Sequence, residues 1–136
     1  MHPTDMDRLT EGLDRRPAAT DAIVAAGEGQ LGKKLPEDYV RFLKHANGGE
    51  GFVGKGYAIL WPVDELASMN RSYEVQEYAP GLLIFGSDGG GEAYGFDTRT
   101  SDWIVVQVPF VGMTWSLARP RGASFIAFLK NLSETK

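Results

Sequence analysis

Three β-rich segments between residues 82 and 108 constrain the fold more than any other feature of this sequence. They are Leu82–Ser87, Ala93–Asp97 and Trp103–Val108, and only short stretches separate them. A parallel neighbour requires a crossover connection of about a dozen residues or more. The connecting sequences, rich in glycine, serine, threonine and aspartate, are instead typical of turns. The three segments are therefore predicted to pair as antiparallel neighbours.

Helical patterns flank these strands. Four helices are predicted: from Thr20 to about Gly32, from Pro36 to Asn47-Gly48, from Asp64-Glu65 to Pro80-Gly81, and from about Ala123. A short helix around Asp5–Arg15 also fits the pattern. Additional strands are predicted at Phe52–Val53, Tyr57–Trp61 and Thr114–Leu117. This order of elements predicts one α+β domain, in which helices lie on one side of an antiparallel sheet.

Large apolar side chains at helix or strand spacing indicate the core. The residues predicted to be buried are Tyr39, Phe42, Leu43, Phe85, Phe125 and Phe128. Tryptophan is heavily buried on average, so core positions are also expected for at least two of Trp61, Trp103 and Trp115.

The composition excludes several kinds of chemistry. The chain has no cysteine and only two histidines, His2 and His45. Disulfides, thiolate zinc sites, thiol nucleophiles and iron–sulfur clusters are therefore excluded, and no cofactor or metal is expected. The opening residues lack the apolar core of a secretory signal, and no apolar run is long enough to span a bilayer. A soluble, cytoplasmic protein without membrane contact is expected.

Acidic residues dominate the middle of the chain. Between Asp64 and Asp102 there are eight acidic residues and only two arginines, a net charge of −6, whereas the whole chain carries −4. Binding to nucleic acid depends on lysine and arginine that neutralise phosphates, so direct nucleic-acid binding is not expected. This stretch favours a cationic partner, although ordinary solvated surface explains it equally well.

The glycine-rich sequence from Gly86 to Glu92 is the most conspicuous local motif. It lacks the Lys-Ser/Thr of a phosphate-binding loop and no helix follows it, so a hairpin turn with positive φ is favoured. A hard cation held by Asp88, Glu92 and Asp97 is a minor alternative, because their spacing matches no calcium loop. A hydrolase that uses Glu50, Asp88 and Glu92 is another, although no convincing catalytic set is present.

Three groups of residues, in order, resemble the SUKH superfamily in its Smi/Knr-type, cell-wall-assembly-regulator-like branch. The first group runs from Leu31-Gly32 to Asn47-Gly48-Gly49. The second comprises Trp61, Asp64-Glu65 and the stretch from Phe85 to Asp97. The third is the closing helix with Ser124-Phe125 and Phe128-Leu129. Residues 1–19 match nothing and are expected to be a peripheral segment, with the SUKH-like domain over residues 20–136.

The resemblance implies an α+β fold with an antiparallel or mixed sheet flanked by helices. In bacteria it implies a non-enzymatic immunity protein that binds and neutralises a polymorphic toxin, often a nuclease; the alternative is a small-molecule-sensing or regulatory interaction module. Combined with the acidic middle, it predicts a basic toxin domain as the partner and leaves the oligomeric state open. The residues expected on the partner-binding face are Trp61, Asp64, Glu65, Asp88 and Glu92.

Overall fold

Seven strands form one sheet in which every strand lies beside its neighbours in sequence, and all pairs are antiparallel. The computed structural model describes residues 5–134. The strands are β1 Leu13–Arg15, β2 Gly49–Val53, β3 Gly56–Leu60, β4 Leu82–Ser87, β5 Glu92–Asp97, β6 Val105–Pro109 and β7 Arg119–Gly122. The predicted antiparallel pairing of the three central segments, now β4, β5 and β6, is confirmed.

Six helices accompany the sheet in the described residues. They are α1 Asp5–Thr10, α2 Asp21–Leu31, α3 Glu37–His45, α4 Leu66–Ser72, α5 Val75–Tyr78 and α6 Phe125–Glu134. The predicted start of α2 at Thr20 is confirmed, because the Thr20 hydroxyl caps the helix and accepts a hydrogen bond from the Ile23 N–H at 3.1 Å. Gly32 ends this helix with a φ of 69°. Among the described helices, none combines the length and the apolar character that crossing a bilayer requires.

Three predicted elements differ in the structure. The helix expected from Asp64-Glu65 begins as a 3₁₀ turn, Val63–Glu65, and breaks between α4 and α5 because Glu74 adopts a φ of 53°. The strand expected at Thr114–Leu117 is wrong: a 3₁₀ turn lies at Trp115–Leu117, and the strand follows as β7. The short helix near the N-terminus stops at Thr10, and β1 follows it.

The displaced last strand has a physical explanation. β7 pairs with β6 through Arg119 and Pro120, and its sequence, Arg-Pro-Arg-Gly, has no apolar alternation that would identify it as a strand. A proline is tolerated there because β7 is an edge strand, where one side of the backbone needs no partner.

The main core lies between one face of the sheet and helices α3 and α6. All six residues predicted to be buried are at most 1% exposed. The aromatic rings among them pack together, with the Tyr39 and Phe125 centroids 4.9 Å apart and those of Phe42 and Phe125 5.2 Å apart. The helix and strand spacing of these six apolar residues therefore identified the core correctly.

A second apolar cluster covers the opposite face of β4, β5 and β6. Val75 of α5 and Ala79, which follows this helix, pack there with Ile84, Val106 and other buried residues. The expectation that helices lie on only one side of the sheet is therefore wrong, and the three central strands are buried on both faces. β2 and β3 alternate instead between buried and more exposed residues, and in β1 only Leu13 is buried, so only one face of these strands is covered.

An asparagine closes a gap in the sheet beside β4. β3 pairs with β4 only at Ser87 and Gly86, which leaves the first half of β4 without a strand on that side. The Asn70 side chain of α4 accepts from the Ile84 N–H at 3.0 Å and donates to the Ile84 carbonyl at 2.9 Å. Gln76 donates to the Leu82 carbonyl at 2.8 Å. These amide side chains satisfy backbone groups that would otherwise be buried without partners.

The three tryptophans do not occupy the core. Trp61, Trp103 and Trp115 are all only partly buried, so the expectation for at least two of them is wrong. Trp103 adopts a φ of 50° in the turn before β6. The Trp115 indole N–H donates to the Pro80 carbonyl at 2.8 Å, a partner at the surface. The amphipathic indole rings are partly exposed and pack against the edges of the core.

Replacing a core phenylalanine should destabilise the fold strongly. Phe42→Ala and Phe128→Ala are each expected to lower the free energy of unfolding by about 3–5 kcal/mol, since both rings are fully buried. Phe52→Ala is the matched control, because Phe52 is 58% exposed; its loss should stay below about 1.5 kcal/mol. Urea denaturation measures all three, and equal midpoints for Phe42→Ala and Phe52→Ala would contradict this packing.

Asn70→Ala should also destabilise the protein although it removes few apolar contacts. The substitution leaves the N–H and the carbonyl of Ile84 unsatisfied, and each buried group without a partner costs about 1–3 kcal/mol, so a loss of about 2–6 kcal/mol is expected. Ser68→Ala, at an exposed position of the same helix, should change the unfolding free energy by no more than about 0.5 kcal/mol. Equal stabilities of the two variants in denaturant titrations would show that Asn70 does not close the β4 edge.

Candidate functional site

The uncovered face of β1–β3 presents aromatic and acidic side chains together. Strand alternation directs one set of residues away from the core, and cross-strand pairing aligns Asp14 with Glu50, Glu50 with Ile59, and Phe52 with Tyr57. We call this surface the open face and define it by Asp14, Glu50, Phe52, Tyr57, Ile59 and Trp61. All six residues are exposed or only partly buried.

Contacts among its own side chains hold the open face in place. The rings of Phe52 and Tyr57 meet edge to face with their centroids 5.1 Å apart. The Tyr57 hydroxyl donates a hydrogen bond to the Glu50 carboxylate, and this bond raises the pKa of the Tyr57 phenol. The aromatic groups are therefore held in a fixed arrangement before any partner binds, which reduces the entropy that binding costs.

Two further aromatic residues extend this surface beyond Trp61. Tyr73, at the end of α4, lies with its ring nearly parallel to that of Trp61. Phe110, just after β6, lies 4.5 Å from Tyr73 between ring centroids. Tyr73 is 40% exposed, so part of this aromatic cluster is available at the surface.

The charges on the open face are arranged unfavourably for folding. Asp14 and Glu50 lie directly opposite each other on neighbouring strands, and like charges in that position destabilise a sheet. Among the described residues neither carboxylate forms an ion pair within 4 Å. The fold therefore gains no stability from placing these two carboxylates opposite each other.

A shallow pocket lies at one end of the open face. It has a volume of about 260 Å³, and its lining includes Asp14, Glu50, Trp61 and Glu65 together with the cation Arg16. Three acidic residues and one arginine therefore border the same space.

Two of the residues predicted from sequence, Trp61 and Glu65, meet at this pocket, and Asp64 lies beside them. The Asp64 carboxylate accepts from the Asn47 side chain at 3.1 Å. The same Asn47 side chain accepts from the Val63 N–H at 2.8 Å. Asn47, which the sequence predicts at the end of a helix, therefore also orders the acidic turn that follows β3.

The other two predicted residues, Asp88 and Glu92, lie on the opposite face of the sheet. The Glu92 carboxylate forms an ion pair with Arg119 and accepts from Gln107 at 2.7 Å. Arg121 donates to the same Gln107. These acids are therefore set among internal hydrogen bonds and two arginines, and they do not extend the acidic part of the open face.

The glycine-rich sequence forms the predicted hairpin turn. Gly89 and Gly91 have φ values of 78° and 103°, which confirms the expected positive φ. Asp88 shapes the turn, since its carboxylate accepts from the Gly90 N–H at 2.7 Å and from the Glu92 N–H at 3.0 Å.

The carboxylates considered for catalysis or metal binding are not assembled into one site. Glu50 bonds to Tyr57 on the open face, whereas Glu92 bonds to Gln107 on the other face. Asp97 is held by two hydrogen bonds from the Arg99 side chain, and these lower the pKa of the carboxyl. Within residues 5–134 no group of three His, Cys, Asp or Glu side chains could hold a metal ion. His2 lies outside the described residues.

Sequence reasoning missed part of this surface for two reasons. Phe52, Tyr57 and Glu50 follow a strict two-residue alternation with small or apolar neighbours, a signal that could have placed them on one face. Asp14 carries no such signal, because its position depends on the pairing of β1 with β2, 36 residues away in sequence.

Comparison with known families agrees with the fold just described. The family model for SMI1/KNR4 proteins (SUKH-1) matches residues 18–131. The chain belongs to the SMI1/KNR4 family (SUKH-1). The family match begins after β1, so Asp14 lies outside it, whereas the rest of the open face lies inside. A search of curated proteins finds no match to this SUKH-1 chain.

Asp88 should act through hydrogen bonding rather than through charge. Asp88→Asn keeps an acceptor oxygen for the turn N–H groups, so the free energy of unfolding should change by no more than about 0.5 kcal/mol. Asp88→Ala removes the acceptor and is expected to cost about 1–2 kcal/mol. Thermal or urea unfolding of the two variants tests this, and an equal loss in both would assign the effect to the negative charge instead.

Proposed function

We propose that this SUKH-1 protein is a non-enzymatic immunity protein that binds a toxin domain in the cytoplasm and blocks it through the open face. The observation that carries the proposal is the open face itself. The central strands are covered on both faces, whereas β1–β3 expose aromatic side chains, including Phe52, on one. A structural role does not account for that exposure, and a protein partner does.

The residue types on the open face suit a protein partner. Aromatic side chains are enriched at protein interfaces, and tryptophan and tyrosine dominate the residues that contribute most to binding. Trp61 and Tyr57 supply such anchors, and neighbouring contacts already hold both in place. The carboxylates beside them add charge complementarity to a basic surface, which increases association rates and specificity.

A nuclease toxin fits this description. Enzymes that bind nucleic acid contact its phosphates through lysine and arginine, so their substrate surface is cationic. An inhibitor with paired carboxylates among aromatic rings would cover that surface and exclude the substrate. The proposed partner is still the predicted basic toxin domain. The proposed contact surface is the open face, and it does not include Asp88 and Glu92.

Co-expression with a candidate toxin domain from a neighbouring reading frame tests the proposal. Wild type should restore growth, and the double variant Phe52→Ala, Tyr57→Ala should not, because loss of a binding anchor of about 2 kcal/mol weakens affinity about 30-fold. Tyr78→Ala is the matched control: Tyr78 is 52% exposed, but it lies on α5, outside the open face.

The possible outcomes test the immunity function and the binding surface separately. Failure of the wild type to protect would overturn the immunity assignment. Full protection by the double variant would show that a different surface binds the toxin. Loss of protection by Tyr78→Ala as well would contradict the assignment to the open face.

A further inference from the structure

We propose that the partner segment docking on the open face carries an arginine, whose guanidinium sits in the pocket lined by Asp14, Glu50, Trp61 and Glu65. This inference deepens the proposed function and rests on it only for the identity of the protein that supplies the arginine. The occupant of the aromatic and acidic open face is then a cationic segment with a planar charged group.

Charge complementarity favours a cation at this end of the open face. Asp14 and Glu50 lie side by side on neighbouring strands, and Glu65 reaches the same pocket. Directly opposed residues place their Cβ atoms about 5 Å apart, so two carboxylates can receive separate N–H groups of one fork. A bound guanidinium would relieve the repulsion that this pair otherwise experiences.

The aromatic lining favours arginine over lysine. A guanidinium is planar and weakly hydrated, and it stacks on aromatic rings while donating to carboxylates at its edge. An ammonium is a compact, strongly hydrated point charge that gains less from an indole. Since Trp61 borders the pocket together with the carboxylates, arginine is the better occupant.

The protein already contains this arrangement at another position. Arg99 donates to both oxygens of Asp97 at 3.0 Å, and its Cζ lies 3.5 Å from the ring centroid of Trp115. A guanidinium held between a carboxylate and an indole is therefore an arrangement that these side chains form within this fold. The open face offers the same groups to an arginine from outside.

Arg16 allows a test of whether the pocket binds a cation or an anion. It is exposed and lines the same pocket, but it forms no ion pair within 4 Å among the described residues. It therefore lowers the attraction of the pocket for a cation without neutralising a particular carboxylate. Arg16→Ala should tighten the binding of an arginine, whereas it would weaken the binding of an anionic ligand.

The experiment is a titration of the ¹⁵N-labelled protein with three acetylated peptides of alternating glycine and a variable residue: arginine, lysine or citrulline. The three indole N–H signals report on binding separately. The arginine peptide should shift the Trp61 signal saturably and leave those of Trp103 and Trp115 in place. The lysine peptide should bind at least about fivefold more weakly, and uncharged citrulline should produce no shift.

Isosteric variants locate the effect in the carboxylates. Asp14→Asn combined with Glu50→Gln should weaken the arginine peptide at least about tenfold, since the charges are lost and the acceptor for Tyr57 is kept. Glu37→Gln is the matched control: its side chain is 92% exposed on α3, away from the open face. It should leave the affinity unchanged, and Arg16→Ala should raise it about two- to fivefold.

Failure of this inference is distinguishable from failure of the proposed function. Absence of a Trp61 shift, equal shifts with lysine and arginine, or weaker binding by Arg16→Ala would each overturn the arginine pocket. If growth protection still depended on Phe52 and Tyr57 in that case, the open face would remain the toxin-binding surface. If the arginine peptide bound and the wild type failed to protect, the pocket would stand without the immunity function.

Discussion

Burial of β4, β5 and β6 on both faces is the constraint on which the rest of this structure depends. One face packs against α3 and α6, and the other packs against α5 and the segment around Met113. Because both faces of β4 are covered, the backbone groups on its unpaired edge also need hydrogen-bond partners. The Asn70 side chain supplies them by bonding to the N–H and the carbonyl of Ile84. The chain from α4 to α5 therefore covers an edge and a face of the central strands.

The open face is a consequence of where that cover ends. β1–β3 continue the sheet beyond the central strands and share only their inner face with the main core. Their outer side chains are exposed or only partly buried, and they include two opposed carboxylates that a sheet optimised only for stability would avoid. Aromatic residues lie beside these charges on the open face. In a SUKH-1 protein, such a surface is consistent with a module that acts by binding.

The five residues predicted for the partner-binding face form two separate groups in the fold. Trp61, Asp64 and Glu65 lie within six residues of one another and stay together in the fold. Asp88 and Glu92 were grouped with them because the stretch carries excess negative charge. The strand order instead brings Arg119 and Arg121, about 30 residues away in sequence, beside the glycine-rich turn that carries Asp88 and Glu92. The negative charge of this turn is therefore largely compensated. A charge count along the chain does not determine which charges meet in space.

The sequence by itself determined the antiparallel pairing of the central strands, the aromatic core and the positive φ in the glycine turn. Each of these depends on residues a few positions apart, through turn length, helical spacing or the lack of a Cβ. Only the tertiary structure decided which face of the sheet stays open, that β1 adds Asp14 to it, and which acids are paired. Those properties depend on contacts between distant segments, because pairing and cover are set by the packing of whole elements rather than by local pattern.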